Sequence, residues 1–191
     1  TGSLEYRNSI TKCVLLPSKE QSMNKTELRL IIEKAFVNVT LGDGISILQS
    51  EVIDKYGEGY TDTEFAALPR KEITEDWRKL TLSDLNRCQI AYLDDKGFRY
   101  YIPALMCSIW ESFDRNEMRV IGTLGSLYPR NDQVGGLKEY ILKRYEILNL
   151  SQRQAIALFL QNLPQLVQLD ISEQKVIERA LRNYWQNYLS T

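Results

Sequence analysis

The sequence predicts a mainly α fold: a single α-rich domain with a minor β component, one short central antiparallel hairpin. Three observations carry this. Apolar residues recur three and four apart along most of the chain from Met23 onward. Asn, Ser or Thr repeatedly stands three residues before Glu, Gln or Asp where these stretches begin, the pattern of a reciprocally capped helix. Near the middle, the turn-forming run Asp94-Asp95-Lys96-Gly97 precedes Phe98, Tyr100 and Ile102, which alternate with Arg99 and Tyr101 in the period of a strand.

Taken in order, residues 1–22 show neither period and are read as an extension outside the domain, which spans 23–189. Thr1-Gly2-Ser3 resembles an expression-tag remnant, with Met23 then the natural initiator; the alternative is a native extension, flexible or paired as an edge strand. The first helix starts at Asn24, with Glu27 reaching back, and presents Leu28, Ile31, Ile32, Ala35, Phe36 and Val39 on one face. Gly42-Asp43-Gly44 closes it. Ser46 with Gln49 opens a second helix, and Thr61 with Glu64 a brief turn before Pro69. A polar linker over 70–76 leads to Trp77, and Thr81 with Asp84 starts another helix.

Residues 89–93 are expected to pair with 98–102 as the hairpin, the turn setting the register and Gly97 free to take positive φ. Pro103 suits the first position of a helix running to about Phe113. Residues 114–136 are the least regular part, with Val120-Ile121 as a very short strand and Gly122-Thr123-Leu124-Gly125-Ser126 as a surface loop. Three helical stripes follow: one through Leu137, Ile141, Tyr145 and Leu148; one through Ile156, Phe159 and Leu163, capped by Ser151 with Gln154; one through Ile177, Ala180 and Tyr184, capped by Ser172. The total is five to seven helices.

Composition narrows function by exclusion. With a net charge of −1 the chain has no broad attraction for nucleic acid or anionic membranes. Arg144, Arg153, Arg179 and Arg182 are the helical basic candidates for nucleic acid, and Glu146, Glu173 and Glu178 dilute them. No apolar run approaches the roughly 18 residues that span a bilayer, and residues 13–17 make no signal peptide, so a cytoplasmic location is the expectation. Cys13, Cys88 and Cys107 are too widely spaced for a zinc site or disulfide framework, so no metal and no cofactor is expected. There is no histidine at all. Catalysis by Ser-His-Asp or Cys-His arrangements is thereby excluded, and an enzyme would have to use carboxylates, Lys, Tyr or a bound group.

Asp76-Trp77-Arg78, then Tyr92-Leu93-Asp94 with Gly97-Phe98-Arg99-Tyr100-Tyr101-Ile102-Pro103-Ala104, and finally Asn183-Tyr184-Trp185, stand in that order. The pattern resembles a family of uncharacterised bacterial proteins, common in cyanobacteria and classed as a domain of unknown function. The resemblance covers 23–189 and implies domain limits without supplying chemistry.

Candidate binding residues are Trp77, Arg99, Tyr101, Trp110 and Trp185, and no catalytic residue is named. Arg99 beside aromatic rings suits a carboxylate or phosphate; alternatively it pairs with Asp76, Asp94 or Asp95 and braces the hairpin. Trp185 lies at the edge of its buried stripe and Trp110 falls off the best core face of its helix, and exposed aromatics near arginine favour protein contacts; the alternative is core packing. Asp94, Asp95, Glu111 and Asp114 lack the partners an acid/base pair needs, and the 122–126 glycines lack the Lys-Ser/Thr of a P-loop. The expectation is a non-enzymatic protein-binding module, a regulatory adaptor or immunity-type protein. The rival is a small-ligand binder or carboxylate/Tyr-based enzyme with a pocket near Arg99.

Overall fold

The computed structural model describes residues 23–55, 59–68, 75–130 and 136–189. Among them the elements are α1 (Lys25–Ala35), α2 (Ile47–Asp54), α3 (Asp62–Ala66), α4 (Leu82–Asn86), α5 (Asp95–Glu111), α6 (Met118–Ser126), α7 (Leu137–Tyr145), α8 (Leu150–Leu166) and α9 (Ile171–Asn183). Short 3-10 turns lie at Trp77–Lys79, Ile90–Tyr92 and Trp185–Tyr188. No strand occurs among the described residues, so the expected hairpin and the Val120-Ile121 strand are corrected to helix. Residues 1–22, residues 56–58, most of the linker read at 70–76 and the glycine at 135 lie outside the described residues.

Where the hairpin was expected, α5 runs through the centre. The Asp94 carboxylate caps it, accepting from Gly97 N at 2.8 Å and from Ile45 N at 2.9 Å. Gly97 serves this close approach and not a positive φ, because a Cβ there would stand 2.7 Å from the Ile45 carbonyl oxygen. Pro103 sits well inside α5, where it deprives the Arg99 carbonyl of its helical donor. Thirteen of the seventeen residues of α5 are buried. A helix covered on all sides shows no helical stripe. Phe98, Tyr100 and Ile102 therefore alternate with polar neighbours only by accident of composition, which is why the segment imitates a strand.

Around α5 pack α1, α4, α6, α7 and α8, with α1 also along α8, and α8 against α9 and the final 3-10 turn. The reciprocal caps at Asn24/Glu27, Ser46/Gln49, Thr61/Glu64 and Thr81/Asp84 form as expected. The last two caps fall earlier than expected, at Asn149/Gln152 and Asp170/Glu173. Ser172 does not cap: its hydroxyl donates to Asp170 Oδ1 at 2.7 Å. The Ile90–Tyr92 turn is held from α7, with Arg144 Nη1 donating to the Ile90 carbonyl at 2.8 Å and the Tyr140 hydroxyl 3.3 Å from both the Ala91 and Leu93 carbonyls.

Candidate functional site

The aromatic residues expected at a surface are in the core. Trp77 is 3%, Trp110 4%, and Tyr101 and Trp185 0% exposed. Their polar atoms serve the fold. Trp77 Nε1 donates to the Phe36 carbonyl at 3.1 Å, Trp185 Nε1 to the Leu127 carbonyl at 2.7 Å, and the Tyr101 hydroxyl accepts from Ile47 N at 3.3 Å. Trp110 packs beside Phe159, and Trp185 beside Tyr145, Tyr184 and Tyr188. The expected exposure of Trp110 and Trp185 is thus corrected: Trp110 is covered because helices pack on every side of α5, and Trp185 because it lies in the 3-10 turn beyond α9, packed on α8.

Arg99 is half-buried, with its Nε buried and making no hydrogen bond among the described residues. It does not share a face with Tyr101, since two residues apart on a helix is about 200° of rotation. The acids proposed as its braces are engaged elsewhere: Asp76 with Arg78 at 2.7 Å, Asp94 with the α5 cap, and Asp95 with Lys96 N at 2.9 Å. Glu111 pairs with Arg29, and Asp114 accepts from Asn116 N at 2.9 Å, so these carboxylates converge on no common point. Cys88 and Cys107 are buried, and burial pushes the Cys107 thiol up to about 12 and Cys88 higher, away from thiolate chemistry. No group of three metal-ligating side chains occurs among the described residues, and no helix among them is long and apolar enough to cross a membrane.

One surface feature does combine shape with charge. Between α6 and α9 lies an open groove of about 400 Å³. Val120 and Leu124, one turn apart on α6, form its floor with Tyr128 and Val176. Arg115, Arg130 and Arg179 stand around it, opposed within the lining by Glu173. Ile121, 49% exposed, also lines it; Met118 lies one turn back along α6 and Ile171 beside Ser172, both still more exposed.

The sequence builds this wall locally. Arg119, 2% exposed, anchors α6 from below through Asn86 Oδ1, Ser108 Oγ, the Ser112 carbonyl and Glu117. The Thr123 hydroxyl returns to the Arg119 carbonyl at 2.7 Å, and the Ser126 hydroxyl to the Thr123 carbonyl at 2.8 Å. Residues 122–126 therefore spend their N–H groups inside a helix and offer no anion loop. Gly122 is packed, since a Cβ there would stand 2.9 Å from Ile90 Cγ2. Gly125 is exposed on the groove side, where a Cβ would meet nothing within 4 Å. A glycine inside a helix costs about 1 kcal/mol relative to alanine, and nothing among the described residues requires this one.

The opposite wall begins at the α9 cap. Asp170 accepts from Glu173 N at 2.8 Å and from the Ser172 hydroxyl, and these bonds, with Arg115 nearby, hold its carboxyl below the ordinary range. Arg115 Nη1 lies 3.6 Å from Asp170 Oδ2, and its Nη2 donates to the Gln168 carbonyl at 3.1 Å, tying the entry of α6 to the entry of α9. Sequence reasoning missed this site because it read 114–136 as irregular. The available signal was the spacing of Val120 with Leu124, obscured by two glycines.

No curated protein and no solved structure matches the chain. A family model does match, across residues 24–189, and this protein belongs to the Family of unknown function (DUF6714).

Proposed function

We propose that this protein is a non-enzymatic protein-binding module, a regulatory adaptor or an immunity-type protein that neutralises its partner, and that the groove between α6 and α9 is the contact surface. The observation supporting this reading is an apolar floor ringed by arginines and flanked by exposed Ile121, Met118 and Ile171. Protein interfaces combine an apolar centre with arginine in this way. A small anionic ligand in the same groove is the second reading, favoured by a volume within the usual range for ligand sites. A carboxylate/Tyr-based enzyme near Arg99 has less support, because the nearby acids serve caps and ion pairs.

The test is a photo-crosslinking residue placed at Ile121, with the equally exposed Leu30 on α1 as control, irradiated in lysate of the source cells. A protein crosslinked from 121 and not from 30 supports the reading. If no protein is crosslinked, while native mass spectrometry finds a small molecule that Ile121→Asp releases, the groove is a ligand site and the protein-binding reading falls.

A further inference from the structure

We infer that the occupant of the α6/α9 groove is an acidic amphipathic α-helix of another protein, laid across α6 at Gly125. This rests on the protein-binding reading above. The first argument is charge: three arginines against Glu173 in the lining and Asp170 beside it leave the rim with one net positive charge, on a chain whose net charge is −1. Arg179 is exposed and forms no ion pair among the described residues, and Arg115 is held to Asp170 and Glu173 only at 3.6 and 3.9 Å. A carboxylate on the occupant completes these contacts.

Gly125 supplies the second argument. With no Cβ and open space above it, the α6 backbone can be approached closely at this one point. Helices cross most closely where one carries a small residue. Length gives the third: the α9 wall runs over 172–179, which at 1.5 Å per residue is roughly 12 Å, the reach of about two turns of helix with anchors at i, i+3, i+4 and i+7. With no strand among the described residues there is no sheet edge there to extend. The chain's own residues 1–22 have the wrong sign, with Arg7, Lys12 and Lys19 against Glu5 and Glu20.

Two fluorescein-labelled synthetic peptides test this by anisotropy. Each is an alanine-based helix of about 18 residues, long enough to fold alone, with leucines at the four anchor positions. One carries glutamates on its flanks and the other lysines. The glutamate peptide should bind at least about tenfold more tightly, and Arg179→Glu should narrow that preference by about tenfold. Gly125→Leu should abolish binding with the Tm retained, and Gly125→Ala should weaken binding without lowering the Tm. Equal binding of the two peptides, or binding that survives Gly125→Leu, overturns the inference. If neither peptide binds but a protein crosslinks at 121, the module reading stands and the acidic-helix inference falls; if neither event occurs, both fall. A dimer in light scattering that Gly125→Leu dissociates reassigns the groove to a second copy of the chain.

Discussion

Gly122 and Gly125 lie one turn apart on α6 and meet opposite surroundings. Beneath Gly122 is Ile90 Cγ2, close enough that a Cβ would collide with it; beside Gly125 there is only the groove. The same division runs along the whole helix. Its inner side carries Arg119, Thr123 and Ser126, each hydrogen-bonded within the fold. Its outer side carries Met118, Ile121 and Gly125, whose exposure and conformational cost the fold does not use. Residues that a fold needs are explained by their neighbours, and residues without such neighbours face the groove, where the proposed partner would sit.

The largest test of the inner side is Arg119→Met. It strips Asn86, Ser108 and the Ser112 carbonyl of a shared donor and leaves Glu117 without its ion pair. A loss of about 3 kcal/mol is expected in urea unfolding, the scale for breaking a buried charged network. A loss below about 1 kcal/mol, the scale of a surface pair, breaks the comparison. Next come the two glycines, for which opposite signs are expected. Gly122→Ala should lose about 1 kcal/mol, since overpacking against Ile90 outweighs the gain in helix propensity. Gly125→Ala should gain about 0.5–1 kcal/mol from propensity alone. Equal shifts in the two variants would show that the sides of α6 do not differ as described.

A second buried guanidinium sharpens the contrast. Arg144, 4% exposed, makes one hydrogen bond among the described residues, to the Ile90 carbonyl, and lies 5.0 Å from the centroids of both the Phe98 and Tyr140 rings. Its Nε is buried without a partner among the described residues, and burial lowers its pKa. Where Arg119 has an anionic neighbour and several acceptors, Arg144 relies on ring faces. Arg144→Met should therefore lose only about 1 kcal/mol, the sum of one carbonyl bond and two ring contacts less the relief of desolvation. A loss matching that of Arg119→Met would mean that the rings stabilise the cation as well as a carboxylate does.

How far the sequence could be read follows the same lines. Helix starts were legible at Asn24, Ser46, Thr61 and Thr81, because a cap and its reciprocal partner are fixed by local spacing. At Ser151 and Ser172 the pattern misled by two residues, since Asn149 and Asp170 offered competing caps in the same window. The first half of α5, residues 98–102, was misread as a strand because burial on every side erases the periodicity that identifies a helix, while its second half from Pro103 was read as helix. The groove was illegible for a different reason. Its walls come from 115–130 and 172–179, and only tertiary packing of α6 on α9 brings them together. The tryptophans misled because sequence shows a residue's place on its own helix and not what covers it.

The smallest effect concerns the groove's far wall, at Asp170. Its carboxyl is held below the usual carboxylate range by the Glu173 N–H, the Ser172 hydroxyl and Arg115. A carboxylate with a lowered folded-state pKa contributes stability above its unfolded value, near 4, and loses it as pH falls through the folded value. Glu64 and Asp76 are lowered as well, so wild-type stability alone would not isolate Asp170. Asp170→Asn does, because asparagine caps about as well and does not titrate. At pH 7 the wild type should melt slightly higher than Asp170→Asn, through its charge beside Arg115 and the first turn of α9. Between about pH 5 and pH 3 that difference should shrink toward zero. A difference unchanged at pH 3 would mean that geometry alone fixes this end of α9, and that Arg115 owes its place to the Gln168 carbonyl and not to charge.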